Sequence, residues 1–479
     1  MLHMNRSTRF LAPIALGTTL LAGCAIGPDY KRPDAPAPTA DHYKTPDSAS
    51  SQSANQSGAP ADKPADKWWA AFGDDLLNSL EDQVEVNNQN IAMAMAAYMQ
   101  ARAVVSLDRS NLWPVVGATA SANRSGGGGK PTSTTYQLTG TASWELDVWG
   151  RLRRTLENAK ANAQASAADL ASAKLSAQSQ LAIAYLQLRG ADAERKMLVE
   201  TQTGYARTLT ITQNRYAVGT VARTDVLSAQ TQLYSVQNQE QGILLQRAQL
   251  ENAIAALIGK SASDFSIAAR DEWNLPIPQT PAGVPSQLLT RRADIAAAER
   301  SMAAANAIIG VQEAAYLPSI TLSGNYGFAS SILSNLFDAG NGSHSFGGSL
   351  SQTLLDFGGR RAQVAQARAS YAQSVASYRQ TVLSAFESVE NDLAAHTIYT
   401  RQFDILTNDS KAADLAEQLT LNQYNAGTVD MTTVVVQQAS ALNARIQLAQ
   451  MKVQLQTNAV TLVTDMGGGW EAPDYSHYD

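Results

Sequence analysis

The sequence predicts a mixed fold: a transmembrane β-barrel, four strands per chain, continuing into a long α-helical coiled-coil periplasmic barrel with a small equatorial domain. Three observations predict it. From Tyr136 to Val148 apolar residues alternate with polar ones, and at Trp149-Gly150 the apolar period changes from two to three or four. The helical spacing then holds for roughly 65 residues, about 100 Å at 1.5 Å per residue. The same order recurs in the second half. Trp113-Pro114 answers to Leu317-Pro318, and Tyr216-Ala-Val-Gly219-Thr220-Val221 answers to Tyr424-Asn-Ala-Gly427-Thr428-Val429. Proline is absent from Thr132 to Leu275 and from Ser319 to Ala472, where helix and strand interiors have no place for it.

The N-terminus reads as a targeting segment. Arg6 and Arg9 precede an apolar run from Phe10 to Ala22, too short to span a bilayer as a helix. The run ends in Leu21-Ala22-Gly23-Cys24, a lipobox, and Cys24 is the only cysteine. Residues 1–23 are therefore expected to be removed and Cys24 acylated on its thiol and new amino terminus. Several acyl chains hold a protein firmly where one binds marginally. Ala25 and Ile26 stand where an Asp would favour the inner membrane, so the expected address is the outer membrane, lipid-anchored and extending into the periplasm.

Residues 24–66, rich in Pro, Ala, Ser and Asp, form an extended leash. The first repeat, 67–262, holds a helical pattern from Leu76 to Leu112, a hairpin over 115–148, a long helix over 151–216 and a shorter one over 221–258. Proline after Trp113 ends the first of these. Residues 263–290, 467–479 and 67–90 carry the Pro, Trp and mixed charge of the equatorial domain. The second repeat, 291–466, has its hairpin at 319–356 and helices at 359–425 and 432–464. In it Asp356-Phe357-Gly358-Gly359-Arg360 answers to Asp147-Val148-Trp149-Gly150-Arg151.

Strands of about ten residues cross an outer membrane at a tilt. Four cannot close, and an open edge in lipid leaves backbone groups unsatisfied. Two copies give eight strands, a barrel filled by its own side chains. Three give twelve, with an open lumen.

These residues resemble the TolC-type outer-membrane factors, in the OprM-like lipoprotein branch that serves resistance-nodulation-division efflux. The resemblance covers Cys24 with Gly27-Pro28-Asp29-Tyr30 and Pro33, then Trp68-Trp69 with Phe72 and Asp74. It continues through Arg292-Ala293-Asp294-Ile295 with Glu299, Leu317-Pro318-Ser319 and both Tyr-x-x-Gly-Thr turns. Ala293 departs from the usual proline. The resemblance implies a homotrimer, a twelve-stranded barrel and a twelve-helix tunnel. It implies a passive exit duct for small molecules, with a periplasmic adaptor protein and an inner-membrane transporter of the resistance-nodulation-division type as partners. No cofactor is implied beyond the lipid on Cys24.

In the family the helix-reversal turns, here Gly219-Thr220 and Gly427-Thr428, form periplasmic tips that close the tunnel. The matching gate positions are Tyr216, Arg223, Thr224 and Asp225 in the first half, and Tyr424 and Asp430 in the second. Val429 stands where some members carry a basic residue. Three copies of Asp430 are expected to ring the closed end, and crowded like charges raise carboxylate pKa values.

Other signals point elsewhere or nowhere. A net charge of −6 argues against a nucleic-acid partner. Ser125 to Pro131 superficially matches a phosphate loop but lacks Ser or Thr after Lys130 and joins two strands. The five histidines are scattered and suggest no metal cluster, and no nucleophile elbow or carboxylate pair supports an enzyme. Arg151, Arg153 and Arg154 are expected to anchor the periplasmic rim of the barrel. Two alternatives stand beside efflux: an exit duct for type I protein secretion, and a structural coiled-coil lipoprotein spacing the envelope layers. Four alternating strands argue against the spacer.

Overall fold

The computed structural model describes residues 25–36, 43–44, 67–270, 276–278 and 288–470. The expected signal segment 1–23 and Cys24 lie outside the described residues, as do most of the leash, parts of 263–290 and residues 471–479. After a 3-10 turn over Trp68–Phe72 come α1 (Asp75–Asn87), α2 (Gln89–Ser110), β1 (Val115–Gly127), β2 (Lys130–Leu146), α3 (Arg151–Ala217) and α4 (Arg223–Leu257). A single turn at Leu288–Arg291 leads into α5 (Ala293–Ala314), β3 (Ser319–Ser330), β4 (Gly342–Ser351), α6 (Gly359–Asn425) and α7 (Met431–Asp465). The repeat is exact in length for three helix pairs: 22 residues in α2 and α5, 67 in α3 and α6, 35 in α4 and α7.

Four boundaries differ from the sequence reading, each for a local reason. The helical stretch from Leu76 to Leu112 is two helices. The Asn88 side chain caps α2 by accepting from Asn90 N–H (2.9 Å) and Ile91 N–H (3.2 Å), while its own N–H closes α1 on Val84 O (3.1 Å). In the first hairpin the ladder runs on into the Gly-rich segment, leaving Gly128 and Gly129 between the strands, both at positive φ (62° and 83°). β4 stops at Ser351 because Gln352 and Arg360 take carbonyls outside the ladder, Tyr316 O and Thr353 O. At the strand-to-helix junctions the left-handed glycines that precede the long helices are Gly150 (φ 82°) and Gly358 (φ 94°), so Gly358, not Gly359, is the counterpart of Gly150. Asp147 and Asp356 still do the same work, accepting from backbone N–H groups at each helix start and pairing with Arg153 and Arg360.

The sheet runs β1-β2-β3-β4, antiparallel throughout, and the β2–β3 pairing joins the two repeats. Register lines up Ala120, Leu138 and Phe328 on one face, with Trp144, Leu322 and Gly348 in a lower tier. The opposite face is polar. Trp144 and Trp149 are tied at its base, their Nε1–H groups donating to Leu112 O (3.0 Å) and Pro318 O (2.7 Å). β1 and β4 are the open edges.

α3 is the spine, touching α1, α2, α4, α5 and α7. Alanines at Ala161, Ala303 and Ala304, and at Ala168, Ala296 and Ala297, bring α3 and α5 close. Larger side chains fill the equator, where Trp69, Phe72, Leu77, Leu181, Tyr185 and Ile254 bury about 2 kcal/mol each. A charged chain staples that level. Asp74 accepts from Tyr185 Oη–H (2.8 Å) and Arg270 (2.8 Å), while Asp192 pairs with Arg189 (3.0 Å) and Arg247 (2.7 Å).

The described part of the leash is a strap across both repeats. Ile26 N–H donates to Trp149 O (3.1 Å), Asn306 donates to Pro28 O (2.8 Å), Tyr30 bonds Glu299 and Arg32 reaches Tyr378 Oη (3.0 Å). Arg154 does not point to the barrel rim as expected. It is buried and turned to the strap, donating to Ile26 O, Gly27 O and Asp29, because those carbonyls have no ladder partner. Arg151 and Arg153 stay at the rim, paired with Glu145 and Asp147.

Candidate functional site: the paired helix tips

Each long helix ends in the same turn. Gly219 takes φ 80° and Gly427 φ 75°, the left-handed cap that favours glycine. Gly219 N–H returns to Tyr216 O (2.9 Å) and Thr220 N–H to Arg215 O (2.9 Å), and the Thr220 hydroxyl donates to the same carbonyl (2.9 Å). In the second tip Gly427 N–H bonds Tyr424 O (3.0 Å), and Thr428 gives both N–H and hydroxyl to Gln423 O (3.0 Å each). The Tyr-x-x-Gly-Thr signature is thus a doubly closed C-cap.

The helices leaving the tips are capped differently. Asp430 precedes α7 and its carboxylate accepts from Thr433 N–H (2.8 Å) and Thr433 Oγ1–H (2.6 Å). Those bonds, the hydroxyl first, hold the Asp430 carboxyl below the usual carboxylate range. Within one chain this shift runs opposite to the crowding expected of an acidic ring, because the cap favours the charged form. Before α4 the cap position is Ala222, which has no acceptor. Asp225 compensates from three residues on, accepting from Ala222 N–H (3.2 Å).

The two repeat-related tyrosines part company. Tyr424 is 4 % exposed, packed with Ala229, Met431 and Val434, and its hydroxyl lies 3.3 Å from Thr212 Oγ1. Tyr216 is 46 % exposed, and Arg223 and Thr224 are also on the surface. The structure therefore packs Tyr424 between the two helical hairpins and leaves Asp430, Tyr216, Arg223 and Thr224 exposed on the single chain, with Asp225 half-buried.

Sequence reasoning missed Arg215. Its guanidinium donates to Tyr424 O (3.1 Å) and Asn425 O (3.2 Å), the last carbonyls of α6, and lies 4.6 Å from the Tyr424 ring centroid. One residue so ties the first hairpin to the second, using a helix C-terminus that attracts cations. A basic residue in the last turn of α3 was the available signal. Above the tips, between α3, α6 and α7, lies a cavity of about 520 Å³ lined by Tyr205, Thr208, Glu417, Tyr424, Gln438 and Arg445. Burial pushes the Glu417 carboxyl up while the Arg445 guanidinium, 2.8 Å away, pulls it back.

A family model described as "Outer membrane efflux protein" matches residues 80–260 and 284–468. The chain belongs to the outer membrane efflux protein family. It is 30 % identical, over 481 residues and 97 % of each chain, to the probable efflux pump outer membrane protein SepC of Pseudomonas putida. It matches the outer-membrane channel OprN with a TM-score of 0.83 at 30 % identity, over 94 % of this chain and 100 % of that one. The MtrE outer membrane channel of Neisseria gonorrhoeae, solved in its open state, gives a TM-score of 0.81 at 27 % identity over 94 % and 99 %. Membership fixes the orientation of the sheet: the apolar face meets lipid and the polar face lines a lumen. The protein is an outer-membrane efflux component whose helices extend into the periplasm.

Proposed function

We propose that three copies of this chain form the exit duct of a tripartite pump, conducting small molecules from periplasm to exterior without chemistry of its own. The observation that carries the reading is the four-strand sheet with one apolar face and two open edges, β1 and β4. In lipid each edge needs a partner strand, and a closed ring of three sheets supplies it while leaving a lumen. A periplasmic adaptor docks the duct to an inner-membrane transporter of the resistance-nodulation-division type, which supplies the energy. Acyl chains on Cys24 anchor each copy. Asp430 and Asp225, with Tyr424, Tyr216, Arg223 and Thr224 around them, serve as the periplasmic gate, and Gly219-Thr220 and Gly427-Thr428 set its turns.

Light scattering of the detergent-solubilised protein tests the assembly. Three times the chain mass is expected, and a dimer, whose eight strands leave no lumen, overturns the reading. Palmitate labelling that persists in Cys24→Ala overturns the anchor.

A further inference from the structure

The polar face of the sheet is more uniform than a water-filled barrel requires. Register stacks Thr119, Thr139, Gly327 and Ser343 in one tier, and Gly117, Thr141, Asn325 and Ser345 in the next. Among the described side chains of this row the one ionisable group is Glu145. Arg151 neutralises it, donating to both carboxylate oxygens from Nη2 (2.7 and 2.8 Å). The remaining polar groups are hydroxyls and amides, some already engaged along the wall, as Gln137 Nε2–H is with Thr139 Oγ1 (3.0 Å).

Rings of fixed charge are how pores select ions by sign, and substitutions facing a barrel lumen tune that selectivity. A hydroxyl both donates and accepts, so it solvates cations, anions and neutral polar groups alike. We infer that the barrel segment is a charge-blind conduit, passing cationic, anionic and neutral solutes with equal electrostatic cost, and that any selection by charge is made below it. The inference rests on the duct reading and extends it to the class of cargo: solutes of either sign.

The test reads the lumen potential directly, with reagents added from the outer side. Thr139→Cys and Ser323→Cys place reporters on the polar row, and Leu138→Cys places one on the apolar row. The native chain, whose single cysteine is Cys24, is the blank. Intact cells are treated with cationic trimethylammonium-ethyl and anionic sulfonato-ethyl methanethiosulfonates, and each rate is divided by that of a free small thiol. A lumen potential of one kT would skew the two reagents by about sevenfold. The expected result is labelling of Thr139→Cys and Ser323→Cys at a cation-to-anion ratio within about threefold of unity, well under that skew, with Leu138→Cys unlabelled. Labelling of both polar-row variants with a skew of about tenfold or more overturns charge blindness and leaves the duct standing. Labelling confined to Leu138→Cys, or absent at all three positions, overturns the duct reading and the inference with it.

Discussion

Arg215 is the residue whose loss should most change what the tips do. Arg215→Ala removes two hydrogen bonds to the terminal carbonyls of α6 and the stacking over Tyr424. At a partly exposed site each bond contributes about 1 kcal/mol and the cation–π contact about 0.5 kcal/mol, so the latch holds about 2.5 kcal/mol per chain. If opening breaks all three latches of a trimer, the closed state loses about 7.5 kcal/mol, enough to move a tip closed about 99 % of the time to one open most of the time. Tyr424→Phe is the control: it keeps the ring and both carbonyls and removes only the long contact to Thr212. The assay is single-channel conductance in planar bilayers, with vancomycin susceptibility of cells as the second readout. Arg215→Ala should raise both, and Tyr424→Phe should move neither much. Unchanged conductance in an intact Arg215→Ala trimer would refute the latch.

Asp430 supplies a cap and a charge, and two variants separate them. Asp430→Asn keeps the cap and removes the charge, while Asp430→Ala also loses about 1 kcal/mol of capping. Raised vancomycin entry in both supports an acidic ring, and entry raised in the Ala variant alone assigns the effect to the cap. At the equator Glu81 is wholly buried with neither carboxylate oxygen hydrogen-bonded, and burial, followed by repulsion from Asp82, pushes its carboxyl up to about 9. The folded state holds that proton where the unfolded chain releases it, so stability falls by about 1.4 kcal/mol per pH unit from about pH 5 to pH 9. Glu81→Gln should flatten the pH dependence of the melting temperature in that window and raise it at pH 7. An unchanged slope would show that Glu81 is ionised. In the strap, Gly27 takes φ 100° and a Cβ there would run into Gly310 Cα. Gly27→Ala should therefore destabilise the fold by about 1–3 kcal/mol, the cost of an overpacked site, and lower the melting temperature, whereas equal stability would show that the strap yields.

The parts of the fold that were legible in the sequence are those written locally. Glycine at 219 and 427, aspartate at 147 and 356, and proline at 114 and 318 punctuate the chain, and the long helices begin and end within a residue of where those signals put them. Asn88 was hidden because its capping role sits inside an unbroken apolar period. Arg154 and Arg215 were hidden for a different reason. The carbonyls they reach lie 127 to 210 positions away, and a carbonyl leaves no residue type to recognise. The burial of Glu81 comes from the packing of α1 against α3, which no local signal in the sequence announces. At the tips the turns lie where Gly219 and Gly427 put them, but nothing in the sequence tells the buried Tyr424 from the exposed Tyr216, since the repeat makes them equivalent.

The central claim is that this chain lets small molecules leave the cell. Accumulation of a fluorescent efflux dye tests it most directly, measured with and without the gene in a host stripped of related ducts and carrying a compatible adaptor and inner-membrane transporter. Lower accumulation when the gene is present is the predicted result. Unchanged accumulation, with the protein assembled in the outer membrane beside that working pump, would contradict it and turn attention to protein secretion.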